Sequence, residues 1–279
     1  MQILKDFVKK SPLLFRVALF LRRAGQVGSF VGRQFWKALR WLFGSREFTN
    51  TTYRYTSRNL LHLAVILDQI TGVGKSRILE LFNELEQDEA LRAHLTERTL
   101  NGPGVLYSDT DIRYTRRIAW YALTRILRPT IVIETGVDKG LGSAVLCAAL
   151  LKNKEERFPG YYYGTDINPE AGFLLGGIYA TTGRILYGDS IESINQLTGP
   201  VDLFINDSDH SELYEAREYV AIKDKLSGKA VIIGDNSHCN DRLLEFAEAT
   251  GRAFSFHREQ PEDHYYPGDG IGFAFPKAK

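Results

Sequence analysis

The sequence predicts an α/β fold: a doubly wound, mostly parallel sheet preceded by a helical N-terminal extension. Three observations predict it. Five short apolar runs each close on an acidic position: Ile131–Glu134, Tyr161–Asp166, Ile185–Asp189, Leu203–Asp207 and Val231–Asn236, the last through Asp235. Their β-branched and aromatic content, without polar alternation, marks strands buried on both faces. Helix-length segments separate them, as crossovers between parallel strands require. Ligands of such sheets sit beyond the carboxyl ends of the strands, so five acidic strand ends form one polar crescent, the candidate active site.

Composition sets the outer bounds. At 279 residues, 44% apolar and 25% charged, the chain can bury one core and a smaller appendage. The only cysteines, Cys147 and Cys239, are too few for a disulfide framework and too far apart for a metal finger, so a reducing, cytoplasmic compartment is expected. Cys147 lies in the apolar stretch Ala144–Leu150 and reads as a packed helical residue.

Taken in order, residues 1–46 form a basic arm. Ten Lys and Arg face the single acid Asp6, a charge of +9 that leaves −8 for the rest of a chain whose net charge is +1. The arm's apolar residues, Leu13 to Leu21 and Phe30 to Phe43, are interrupted by Arg16 and fall short of the roughly 20 residues a spanning helix needs. They suit an amphipathic helix at the inner face of an anionic membrane, or packing on the body or a second subunit in a homo-oligomer; both stay open. No nucleic-acid partner is expected.

Residues 47–112 read as helical, with apolar faces at Leu60–Leu67 and Arg77–Phe82 and a break at Asn101–Gly104. Gly72-Val73-Gly74-Lys75-Ser76 ends like a phosphate-binding loop, but its first glycine would fall at Gln69 and no buried strand precedes it, so it reads as a helix-ending turn. Residues 113–279 form the core. A helix from Tyr114 to Leu127 leads through Pro129 into the first strand, and Ala253–His257 and Ile271–Phe275 are the last two strands.

The turn after the first strand, Glu134-Thr135-Gly136-Val137-Asp138-Lys139-Gly140-Leu141-Gly142, allows close approach of backbone to a ligand at a helix N-terminus. With Tyr219 and Lys223 it could serve an NAD(P)-dependent short-chain dehydrogenase, but too few residues separate loop and pair, and Tyr219 sits inside a crossover helix. A carboxylate at Glu134 favours a cationic ligand over a pyrophosphate.

Over residues 113–279 the motifs resemble the class I S-adenosylmethionine-dependent methyltransferases, with their Rossmann-like sheet and reversed last strand. The resemblance implies that Glu134, Gly136, Gly140 and Gly142 face the amino-acid part of S-adenosyl-L-methionine, that Asp166 holds the ribose, and that Asp189 and Ser190 contact the adenine. Asp207, Asp235 and Asn236, at adjacent strand ends, give an oxygen-only set suited to Mg²⁺, similar to the metal site of catechol-type O-methyltransferases. Macrolide-sugar relatives carry a second acid where Asn236 stands. His210, three residues after Asp207, falls where metal-dependent relatives keep a general base. Asp209 is placed either to orient that imidazole or to cap the helix beginning at Ser211, and capping is the expectation. The implied function is Mg²⁺-dependent O-methylation of a small-molecule or glycan acceptor, a sugar, polyol or secondary-metabolite hydroxyl. The loop Glu259–Gly270, with Tyr265 and Tyr266, is expected to border the acceptor. The alternative of another class is a membrane-associated scaffold without turnover.

Overall fold

The computed structural model describes residues 11–49, 51–209 and 211–277. Two compact units are distinguished, Met1–Ser45 with Asp263–Tyr266, and Arg46–Glu262 with Pro267–Lys279.

In the first unit, Pro12–Gly44 is one helix, α1, opened by Pro12 at its first position, where the missing N–H costs nothing. None of its residues is buried. Asp263 accepts from Arg40 at 3.0 Å and lies 3.7 Å from Lys37. Trp41 meets Tyr265 and His264 with ring centroids 5.1 and 6.4 Å apart.

The second unit holds a sheet with order β3-β2-β1-β4-β5-β7-β6 among the described residues. Its strands are β1 (Ile131–Thr135), β2 (Tyr161–Asp166), β3 (Gly183–Tyr187), β4 (Val201–Asn206), β5 (Leu226–Gly234), β6 (Ala253–Arg258) and β7 (Gly270–Phe275). β1 to β5 are parallel, and β7 runs antiparallel to both β5 and β6. The expected strands are therefore present, with the final one reversed.

Register decides where the site forms. Thr135 lies level with Thr165 on one side and Asn206 on the other, and Asn206 with Gly234. The carboxyl ends of four strands thus finish on one line, and the strand order reverses between β1 and β4, which opens a crevice there.

The apolar runs lack alternation because both sheet faces are covered. Ile133, Phe204, Ile232 and Ala274 pack in one cluster with Ile194, Tyr219, Ile222 and Leu243. The last four come from α7 (Ser190–Gln196), α8 (Glu212–Lys223) and α9 (Arg242–Ala249). Val132, Leu203 and Val231 alternate with the strand residues of that cluster and are buried too. Helices α5 (Arg117–Leu127) and α6 (Leu141–Glu155) pack together, and Gly142 to Leu150 of α6, Cys147 included, are buried.

Helix α5 starts three residues later than the apolar pattern suggests. Thr115 has φ +52°, which a helix cannot continue through, and its hydroxyl bonds the backbone of Thr51 and Tyr53. The upstream region folds as α2 (Ser57–Thr71), α3 (Lys75–Glu86) and α4 (Glu89–Asn101). Gly72, at φ +68°, ends α2, and Gly74 precedes α3, so the lysine-containing turn joins two helices and follows no strand.

Candidate active site

A cavity of about 740 Å³ opens at the carboxyl ends of the strands. Of the residues singled out in the sequence, Gly136, Asp166, Asp189, Ser190, Asp207, Asp235 and Asn236 line it. Glu134, Gly140 and Gly142 are not on its wall, and His210 lies outside the described residues. Of the loop Glu259–Gly270, the residues in the same unit as the cavity, Glu259–Glu262 and Pro267–Gly270, do not line it; within the first unit His264 and Tyr265 pack on Trp41. The dehydrogenase pair has no place here: Tyr219 is buried, donates to Glu215 at 2.7 Å and stacks on Phe246.

The first wall is the turn after β1. Gly136 has φ +74°, and a Cβ there would stand 2.2 Å from the carbonyl oxygen of Asp207, so only glycine lets the turn cross the end of β4. Asp166 shapes the same turn. One of its oxygens accepts from the amides of Val137 and Asp138 at 3.1 and 3.0 Å, the other from Asn168 at 2.8 Å. Three of a carboxylate's roughly four acceptor positions are thereby used, leaving about one for a ligand hydroxyl.

Glu134 lies just beneath that wall. It is buried between Trp120, Gly142 and Tyr162; its carboxylate accepts from Tyr162 and, at 3.3 Å, from Ser143. A Cβ at Gly142 would stand 2.1 Å from its Oε1, which explains this glycine by space. Burial pushes the Glu134 carboxyl up to about 7, against the pull of Tyr162 and Arg117. The folded protein therefore keeps a proton that the unfolded chain releases near 4.5. Glu134 favours folding below the unfolded value, and that contribution is lost as pH rises to about 7. Between those limits the wild type should lose roughly 3 kcal/mol that Glu134→Gln does not lose. Urea unfolding at pH 5 and pH 8 measures it; parallel losses in both proteins would exclude this role of burial.

The opposite wall is tied together by a residue the sequence analysis missed. Glu218 of α8 is buried and accepts from Ser190, Asn206 (2.5 Å), Ser208 (2.7 Å) and Thr135 (3.4 Å), joining the ends of β1 and β4 to the start of α7. Burial pushes its carboxyl up. Asp189 caps α7 by accepting from Glu192 N at 3.0 Å and also receives the Tyr214 hydroxyl at 2.9 Å; the Glu192 amide chiefly holds its carboxyl low. Asp209 accepts from Ser211 N at 2.9 Å, turning the chain into α8.

At the centre, burial together with the charge of Asp235 pushes the Asp207 carboxyl well up. Two carboxylates so close cannot both ionise without a cation or a shared proton. Arg116 is buried on the same cluster: its guanidinium meets Asp235, lies 3.0 Å from Glu259 and donates to Asp269 at 2.6 Å. His238 sits behind, 3.2 Å from Asp269, and is not on the cavity wall. Asp207, Asp235, Glu259 and Asp269 thus face the charges of Arg116 and Arg117, an excess of two acids when all are ionised. Asp235 Oδ1 and Thr165 Oγ1 are buried on wall residues with no hydrogen-bond partner among the described residues.

That donor set fits a divalent cation in charge and hardness, because Asp207 and Asp235 supply oxygen only and one of those oxygens is unsatisfied. Asn236 stands next to them on the wall. Among the described residues, no group of three or more His, Cys, Asp or Glu is arranged to hold a metal.

Residues 133–237 match a family model described as a methyltransferase domain. Over those residues the chain is similar to a methyltransferase domain. No curated protein matched the sequence. Among solved structures, the chain is similar to the O-methyltransferase TomG from Streptomyces achromogenes, involved in tomaymycin synthesis and in complex with SAM. The two share 16% identity with a TM-score of 0.49, over 69% of this chain and 91% of the other. An O-methyltransferase from Bacillus cereus in complex with SAH is similar at 16% identity and TM-score 0.48, over 68% and 92% of the two chains. The match to the methyltransferase domain begins in β1 and ends just past Asn236, so it spans the turn, the Asp166 and Asp189 walls and the central acid pair.

Proposed function

We propose that the protein is an S-adenosylmethionine-dependent O-methyltransferase acting on a hydroxyl of a sugar, polyol or other small-molecule acceptor, with Mg²⁺ held by Asp207, Asp235 and Asn236. One observation carries the reading: a single cavity at the switch point of the sheet is bordered by the glycine turn, Asp166, the Asp189–Ser190 segment and the Asp207–Asp235 pair. When bound, the cofactor supplies a sulfonium methyl group, whose positive charge suits a rim of carboxylates, and the ion supplies charge that favours ionisation of the acceptor oxygen.

The chain's own residues then have separate tasks. Asp166 fixes the turn through Val137 and Asp138 and keeps acceptor capacity for a hydroxyl. Glu134, near its midpoint at neutral pH, gives up its proton more readily when a cationic ligand is close. Glu218 holds Ser190 and Ser208 in place. Asp207, Asp235 and Asn236 would hold the ion, whose charge would neutralise the acceptor oxygen, and rate would come mainly from positioning and charge neutralisation. His210 is proposed, from its offset to Asp207 alone, to take the hydroxyl proton.

Calorimetric titration with S-adenosylhomocysteine, NADH and NADPH tests the cofactor class. Binding of the first in the micromolar range, with no heat from the other two, is expected. Nicotinamide binding with no response to S-adenosylhomocysteine overturns the reading.

A further inference from the structure

Helix α1 separates its residues with unusual completeness. At about 100° per residue, one continuous half of its circumference carries only apolar side chains and glycine over the whole of Pro12–Gly44. Leu13, Phe20, Leu21, Val31, Phe35 and Trp36 lie on that half, interspersed with Gly25, Gly28 and Gly32. They are open to solvent: Leu13 is 71% exposed, Phe20 68% and Trp36 65%. The other half also contains Phe15, Leu19, Phe30 and Trp41, but every charged residue of the helix is on it. Those are Arg16, Arg22, Arg23, Arg33, Lys37 and Arg40, and no Asp or Glu occurs between Asp6 and Glu47.

Contacts within the unit respect the same division. Lys37, Arg40 and Trp41, which meet Asp263, His264 and Tyr265, all lie on the basic half. The apolar half faces away from that segment, and among the described residues of the unit Arg16, Arg22, Arg23 and Arg33 meet no acidic side chain.

We infer that α1 is an interfacial anchor, lying in the plane of an anionic lipid bilayer with its apolar half inserted and its arginines among the lipid headgroups. The helix is about 50 Å long, yet no described helix is long and apolar enough to cross a membrane, so the anchor lies flat. An apolar arc of about 180° is much wider than the narrow seam of a coiled coil, and its period follows 3.6 and not 3.5 residues. A second copy docked on this face would bring together two helices whose only charges, over Pro12–Gly44, are basic. Anionic headgroups supply the missing charge.

Flotation of the full chain with vesicles tests this. Vesicles of phosphatidylcholine with about one-third phosphatidylserine should carry the protein at least ~10-fold better than phosphatidylcholine alone, with most of the difference lost in about 0.5 M NaCl. Val31→Glu/Phe35→Glu, at exposed positions outside the folded core, should abolish flotation while leaving the thermal transition unchanged. Arg22→Gln/Arg23→Gln/Arg33→Gln should remove the preference for anionic vesicles. Equal flotation on neutral and anionic vesicles overturns the proposal, as does full binding by Val31→Glu/Phe35→Glu. So does a concentration-dependent dimer, broken by that variant, in a protein that ignores vesicles. The readout needs no methyl transfer, so the anchor stands or falls apart from the catalytic reading.

Discussion

Arg116→Met should cost the protein at least ~3–5 kcal/mol, the usual penalty for stranding one side of a buried ion pair, and so should leave it barely folded at neutral pH. Arg116 is 2% exposed and its three carboxylate partners, Asp235, Glu259 and Asp269, are 3%, 0% and 5% exposed, so none can turn to water in its place. Tyr53 and Tyr55 both donate to Glu259 and cannot replace a positive charge; burial and the Glu259 charge hold their hydroxyls well above the ordinary range. Against a typical domain stability of about 5–15 kcal/mol the loss is a large fraction. Urea unfolding of the single variant and of Arg116→Met/Glu259→Gln measures it. The second substitution should restore ~1 kcal/mol or more, because it removes one of the stranded charges while keeping its shape. A single-variant loss below about 1 kcal/mol, with no recovery in the double variant, would show that the cluster is not held by charge.

The same cluster marks what the sequence does and does not reveal. The strands are legible because burial on both faces leaves continuous apolar runs, and their ends are legible because an acid stands at the end of each run, four of them on the cavity wall and Glu134 just beneath it. That reasoning places Asp166, Asp189, Asp207 and Asp235 on one cavity without any structure. Arg116 is illegible because its partners are 119, 143 and 153 positions away, so no local period links them. The late start of α5 has the same origin, since Thr115 is held by bonds to Thr51 and Tyr53. Glu218 sits within a segment correctly read as a crossover helix. Only its pairing with Ser190 of α7, Asn206 of β4 and Ser208 just beyond that strand distinguishes it from a solvated glutamate. The amphipathic arm is the opposite case: its division into basic and apolar halves is entirely local, and the wheel can be drawn from residues 12–44 alone.

Asp207→Asn should separate stability from activity. In the wild type the Asp207 carboxyl is pushed up by burial and by the charge of Asp235, so an uncharged amide of the same shape relieves repulsion and should leave the protein as stable or more stable by up to ~1 kcal/mol. Methyl transfer, if Asp207 and Asp235 hold a divalent ion, should fall by roughly 10²–10⁴-fold, because a weaker ligand remains where a charged one is needed. Removal of divalent ions with a chelator should produce a loss of similar size in the wild type and little further loss in Asp207→Asn, since both act on one function. Affinity for S-adenosylhomocysteine should change no more than a few-fold in either case: the turn at Gly136 and the Asp166 and Asp189 contacts do not depend on the Asp207 charge. Turnover that survives excess chelator, together with an active Asp207→Asn, would remove the ion from the reaction. The aspartate pair would then be a proton-sharing couple whose partner is Arg116, and Asp235 would be fixed by the guanidinium for the sake of the fold.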